Sequence, residues 1–289
     1  MVNFLKYRFL YFIISLLVIG LGLFSIIRWG YRYSIDFIGG SNFEYQANKI
    51  LEVKSINKVL KDNRIEFVYL EIKDKNINLR TKPLEQAKEN NLKNSLEKNL
   101  KVKITVLKSE TVGPTLGRET MIKTGVASIL AVFGILIYMS FAFKGFNYAI
   151  AAILAAIHDF LVVIGTYSLL SHFYQAEIDT MFVTAVLTTI SFSVHDTIVI
   201  FDKIREYFQT EGREDIEYFA NKALTETMVR SLNNSMTIIF MLLSLTLLGG
   251  STIRFFIITL LIGTITGTYS SPFVATPILV WLEKMKKEK

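Results

Sequence analysis

The sequence predicts a polytopic α-helical membrane protein: six transmembrane helices, with one small α+β domain of ferredoxin-like βαββαβ order inserted after the first. Three observations predict it. Just over half of the 289 residues are hydrophobic (51%), and the mean hydropathy of +0.39 is unlike that of a soluble globular chain. The apolar residues gather into runs long enough to cross a bilayer. One polar stretch, residues 31–118, interrupts them and carries the periodicities of a folded domain.

The first run, Phe9 to Ile27, follows Lys6 and Arg8. It starts like a signal peptide but is too long and lacks a small-x-small cleavage site, so it reads as a retained span. Short cytoplasmic flanks collect Lys and Arg, which puts the N-terminus in the cytoplasm. Residues 1–30 thus form the N-terminus and first span, and 31–118 the extracytoplasmic domain. In that domain a strand is predicted over Asn42–Gln46 and a helix from Ile50 to Asp62, apolar at Ile50, Val53, Ile56, Val59 and Leu60. Phe67–Ile72 and Ile77–Arg80 alternate around Lys73-Asp74-Lys75-Asn76, a hairpin signal. Pro83 is expected to open a second helix ending near Leu100, and Val102–Lys108 alternates as a last strand. This is the order of a split βαββαβ unit, a fold that says nothing of function by itself.

Residues 119–289 hold the remaining five runs, at about 121–143, 147–171, 179–201, 232–249 and 253–282. The connector Lys144-Gly145-Phe146-Asn147 is a tight turn, so spans two and three form a helical hairpin. Six spans put both termini on one side, and Lys284, Lys286, Lys287 and Lys289 make that side cytoplasmic. The segment 203–229 is then cytoplasmic and contains a surface helix, apolar at Ile216, Phe219, Ala220, Ala223 and Leu224. Pro272 and Pro277 are expected to kink span six.

Composition excludes some chemistry. There is no cysteine, hence no disulfide and no thiolate metal site. With three histidines and no HExxH or i,i+4 pair, no metal and no cofactor is expected. Neither a phosphate loop nor a nucleophile elbow is present, so the chain does not read as an enzyme. The net charge of +7 sits mostly between Ser41 and Arg118 and reads as the solvated face of a Lys-rich domain, with no nucleic-acid partner implied.

The informative residues are polar ones inside apolar runs. Span four carries His195 and Asp196 within DTMFVTAVLTTISFSVHDTIVIFDKIREY (179–207). A carboxylate at the bilayer centre costs ~2.5–3.5 kcal/mol on insertion scales, so it faces protein or a water path. Asp196 lies on the order of 9 Å inside Asp202, too deep for a short side chain to reach water easily. Ser193, Thr189 and Thr197 fall near its face, a polar seam in a helix bundle. Arg230, at the start of span five, is at similar depth and is the expected partner of Asp196, unless it snorkels to phosphate headgroups. In span three, Ala151, Ala155 and Asp159 make a small face ending in a carboxylate, which either binds backbone or hydroxyl groups across a helix interface or carries protons. Gly263, Gly267 and Ser271 make a second small face; both faces are candidates for a subunit contact or for packing within the chain.

These residues carry a resemblance. SIDFIGG (34–40), VGPTLG (112–117), AIHD (156–159), HDTIVIFDKIRE (195–206), ETMVRS (226–231) and IGTITGTYSSPFVATP (262–277) together resemble the SecF family of the protein-export machinery, within the resistance–nodulation–division superfamily. The resemblance covers nearly the whole chain. It implies an auxiliary translocase subunit in the bacterial cytoplasmic membrane that pairs with a SecD-like subunit. Driven by protons, the pair helps to draw unfolded polypeptides through the SecYEG channel after SecA has pushed them. It also implies a proton path through Asp196 and Arg230; Asp159, Asn234 and His195 are further candidates for that path, from their positions beside it in the sequence. Two departures stand out: the family usually has Asn where His195 stands and Thr where Asn234 aligns. His195 either alters the path, since histidine titrates near neutral pH, or hydrogen-bonds passively as Asn would. A small-molecule efflux half-transporter and a purely structural assembly subunit are the alternative functions.

Overall fold

Among the described residues, six helices are long and apolar enough to cross a membrane. The computed structural model describes residues 2–143, 145–212 and 215–287, so Lys144 of the predicted tight turn and the C-terminal Lys289 lie outside the described residues. The chain divides into two compact units, one of residues 33–126 and one of 1–32 with 127–289.

In the membrane unit, α1 (Arg8–Trp29) extends a short 3-10 turn at Phe4–Tyr7. It meets α5 (Phe146–Tyr174) through two glycines: a Cβ on Gly22 would lie 2.7 Å from the Gly165 Cα. Only backbone fits there, and Ser25 Oγ reaches Ser168 Oγ at 2.9 Å beside it. α4 (Pro114–Ala142) runs on from the polar unit. α6 (Thr180–Thr210) is capped by Asp179, whose carboxylate accepts from the Phe182 N–H at 2.7 Å. The last span is α8 (Arg254–Ser270), a π-helical turn over Ser271–Ala275, and α9 (Thr276–Lys287). The two prolines thus widen one turn, which absorbs the missing N–H groups.

One expectation is corrected. The predicted surface helix in 203–229 is no separate element, because α6 continues to Thr210 and α7 runs unbroken from Ile216 to Leu248. Ile216, Phe219, Ala220, Ala223 and Leu224 are fully buried, in one core with Leu5, Leu279 and Val280. The amphipathic stripe stays in phase with the span, so it packs against the bundle rather than lying on a surface. Asn221 Oδ1 accepts from the Leu5 N–H at 3.2 Å and fixes the N-terminal segment to it.

The other unit holds β1 (Gly40–Ala47), α2 (Val53–Asp62), β2 (Phe67–Lys73), β3 (Asn76–Thr81), α3 (Gln86–Leu100) and β4 (Ile104–Val112). The strands form one antiparallel sheet in the order β2-β3-β1-β4. Phe43 and Tyr45 of β1 pair with Leu79 and Ile77 of β3, and these four meet Ile56, Leu60, Leu92 and Leu96 in the core. Two predicted boundaries move. α2 begins at Val53, leaving Ile50 exposed, and Pro83 precedes α3 by three residues instead of opening it, with Glu85 at the N-cap. The motifs SIDFIGG and VGPTLG come together here: Gly39, at φ +75°, lies against Pro114, and a Cβ on Gly117 would fall 2.8 Å from the Gly39 nitrogen.

Candidate functional site

The polar seam on α6 faces α8, and the two helices meet at close range. A Cβ on Gly263 would overlap the Thr189 side chain, and one on Gly267 would fall 3.1 Å from Ser193. Ser271 Oγ lies 2.9 Å from Thr197 Oγ1. The small face of span six is therefore consumed inside the chain. So are Ala151 and Ala155, both fully buried in the bundle core, and neither face is free for a partner.

Asp196 is half-buried, and its Oδ2 accepts from Ser231 Oγ at 2.9 Å. The expected ion pair with Arg230 is not formed: among the described residues, no ion pair joins the two. Arg230 is exposed and lines a hollow of about 450 Å³ with Asp202, Lys203, Glu206 and Glu226. Successive residues on a helix point about 100° apart, so when Ser231 faces α6 its neighbour turns away. That hollow carries its own balance of charge, with Lys203 3.0 Å from Glu206 and 3.6 Å from Glu226.

On the other side of Asp196 lies a small cavity of about 20 Å³ lined by Ser193, His195, Asp196, Asn234, Ser235 and Thr268, among others. It has room for about one water molecule, with polar groups to hold it. His195 and Asn234 thus share a space with Asp196, although both are otherwise exposed on the outside of the bundle. Asp159 sits apart from them, 3% exposed. Its Oδ1 is 2.8 Å from His158 Nδ1, and its Oδ2 accepts from Ser270 Oγ at 2.7 Å and from Ser193 Oγ. Asp159 thus meets hydroxyls across a helix interface and a ring nitrogen on its own helix. Ser193 is the link: it binds Asp159 and lines the cavity beside Asp196.

Sequence reasoning missed Ser231, Ser270 and Ser15, whose Oγ lies 2.9 Å from His158 Nε2. A serine in an apolar run is too common to single out. The only available signal was its spacing toward a buried carboxylate on another helix, which requires the helix rotations.

Known proteins are similar to this chain along most of its length. Residues 91–285 match the family described as protein export membrane protein SecD/SecF, C-terminal. The protein translocase subunit SecF of Thermobaculum terrenum is 39% identical across 98% of this chain and 95% of its own length. That of Anaerolinea thermophila is 38% identical across 97% and 94%. The crystal structure of SecDF from Thermus thermophilus, a translocon-associated membrane protein, superposes with a TM-score of 0.83 at 30% identity. The match covers 98% of this chain but 39% of SecDF, so the chain spans nearly all of a SecF and well under half of a SecDF. A multi-pass bundle, a family match over residues 91–285 and relatives well above 30% identity across nearly the whole chain agree: the chain belongs to the SecF family of protein-export membrane proteins.

Proposed function

We propose that this chain works with a SecD-like partner to couple proton movement across the membrane to the export of unfolded polypeptides through a SecYEG channel, downstream of SecA. The observation that carries the reading is Asp196, a carboxylate within a membrane helix whose near partner is a hydroxyl and not a fixed cation. A serine donates to a carboxylate and accepts from a carboxylic acid, so both protonation states keep a hydrogen bond. Arg230, one residue away, is the group whose approach favours the ionised form and whose withdrawal into the charged hollow favours the acid. One charge crossing ~100 mV releases about 2.3 kcal/mol, which shifts a two-state equilibrium by a factor of roughly 50. That biases a moving domain but does not drag a stably folded protein through a pore, so repeated cycles act on an unfolded chain. The single-chain SecDF relative supports the SecD-like partner.

The polar unit, with its βαββαβ order, we read as a ferredoxin-like domain outside the cytoplasmic membrane, and both termini as cytoplasmic. The Lys and Arg bias of the short flanks supports this orientation. The test of the mechanism is export in inverted vesicles with and without a proton gradient. Asp196→Asn and Arg230→Met are expected to remain folded and in complex while export with the gradient falls to the level without it. Asp202→Asn, whose side chain is near water, is expected to be mild. Full stimulation in Asp196→Asn would sink the mechanism.

A further inference from the structure

The mechanism above leaves a buried pair of titratable groups unused, His158 and Asp159. His158 is 8% exposed in the middle of α5, and each ring nitrogen has a partner: Nδ1 at 2.8 Å from Asp159 Oδ1, and Nε2 at 2.9 Å from Ser15 Oγ of α1. Asp159 is held by three groups from three helices, with Ser193 and Ser270 donating to its other oxygen. As an acceptor on Oδ1 it keeps the His158 proton on Nδ1. The state of Nε2 is then decided by Ser15.

Ser15 can serve both states. With a neutral ring, the Ser15 hydroxyl donates to Nε2. With a protonated ring, Nε2–H donates to Ser15 Oγ, and the Ser15 hydrogen turns to Tyr269 Oη, 3.5 Å away. Tyr269 accepts it because its own hydrogen is held by the Tyr11 carbonyl at 2.9 Å. Changing state moves one proton onto or off Nε2 and rotates one hydroxyl, with every partner retained. A protonated His158 beside an ionised Asp159 is net neutral, whereas a neutral ring leaves one negative charge inside the bundle, held by hydrogen bonds alone. The titratable groups facing the ring are Asp159 on its own helix, Tyr269 on α8 with ring centroids 6.3 Å apart, and beyond it Tyr11 on α1. α6 contributes Ser193 through Asp159.

From this arrangement we propose that His158 is a second proton-binding site of the bundle, switching at Nε2 against Ser15. Its occupancy is coupled to that of Asp196 through Asp159 and Ser193. The coupling follows from Ser193, which donates to Asp159 and lines the cavity it shares with Asp196. A change of charge on either carboxylate alters the field at the other and the orientation of that hydroxyl. The consequence for export rests on the proton reading given to Asp196; the titration of His158 does not.

The test is nitrogen NMR of the full-length protein in lipid bilayers with isotopically labelled histidine. The chain has three histidines, at 158, 172 and 195, so His172→Gln and His195→Gln assign the third signal. The expected result is a ring protonated at Nδ1 throughout, whose Nε2 passes from bare to protonated as the pH is lowered. Ser15→Ala is expected to move that midpoint. Asp196→Asn is expected to move it as well, and Ser193→Ala to remove the influence of Asp196→Asn. A His158 signal fixed in one protonation state throughout the titration overturns the proposal. A midpoint indifferent to Asp196→Asn overturns the coupling. Because the measurement reads His158 directly, it decides the matter even where Asp196→Asn leaves export unchanged.

Discussion

At the scale of single residues, a hydroxyl beside each buried acid decides what the site can do. Asp196 has Ser231; Asp159 has Ser193 and Ser270. A neutral donor contributes about 0.5–1.5 kcal/mol in a typical case and about 1.5–3 kcal/mol to a charged group. It neither locks the carboxylate in its ionised form, as a fixed arginine does, nor leaves it unsatisfied. Ser231→Ala is therefore expected to lower gradient-driven export several-fold in vesicles, because the half-buried carboxylate loses its close partner. Ser231→Thr keeps the hydroxyl and is expected to retain most of the activity. Equal loss in both variants would mean that shape, not the hydrogen bond, is what matters at that position.

At the scale of elements, α6 and α8 are held so closely that side chains leave no room for substitution on the facing side. Gly263 and Gly267 meet Thr189 and Ser193 directly, and this approach brings Ser270 and Ser271 within reach of Asp159 and Thr197. Gly263→Val is expected to cost on the order of 1–3 kcal/mol through overpacking, read as a lower thermal-aggregation temperature of the purified protein in detergent. Gly134→Ala on α4 is the control: nothing lies within 4 Å of a Cβ there, and no loss is expected. An unshifted Gly263→Val would show that the two helices part easily. The same contact explains why the small face of span six cannot dock a second subunit, since packing within the chain has already used it.

At the scale of the whole molecule, the exposed polar residues point to where a partner sits. Ser191, His195, Asn233 and Asn234 are exposed on α6 and α7 at membrane depth, beside Phe192 and Phe240. Polar groups facing lipid are costly, so this face is expected to be covered by protein. Cysteines at Asn233 and Phe240 should crosslink to a SecD-like protein in native membranes, while a cysteine at the buried Ala151 should not. Capture from Ala151 alone would reverse the assignment. Orientation has a separate test. A cysteine at Lys75, in the β2–β3 turn, is expected to react with an impermeant thiol reagent on intact cells with any outer barrier opened, and one at Lys286 only after lysis. The opposite pattern would invert the topology.

Six spans, their rough limits and the polar seam on span four were legible in the residues because hydropathy and helical period are properties of consecutive positions. The βαββαβ order was legible for the same reason, with boundary errors at Ile50 and Pro83, where an apolar residue and a proline stand outside the helices they were expected to open. Depth was legible too, and it brought Asp196 level with the start of span five. What only the tertiary structure decided is which side chain at that depth meets the carboxylate. Arg230 and Ser231 differ by one position along the chain but by about 100° around it, and the rotation of α7 is set by core packing at Ile216, Phe219 and Leu224. The cluster around Asp159 draws on Ser15, Ser193 and Ser270 from three other helices. Their meeting depends on helix rotations and on the close approach that Gly263 and Gly267 permit, which no reading along one dimension contains.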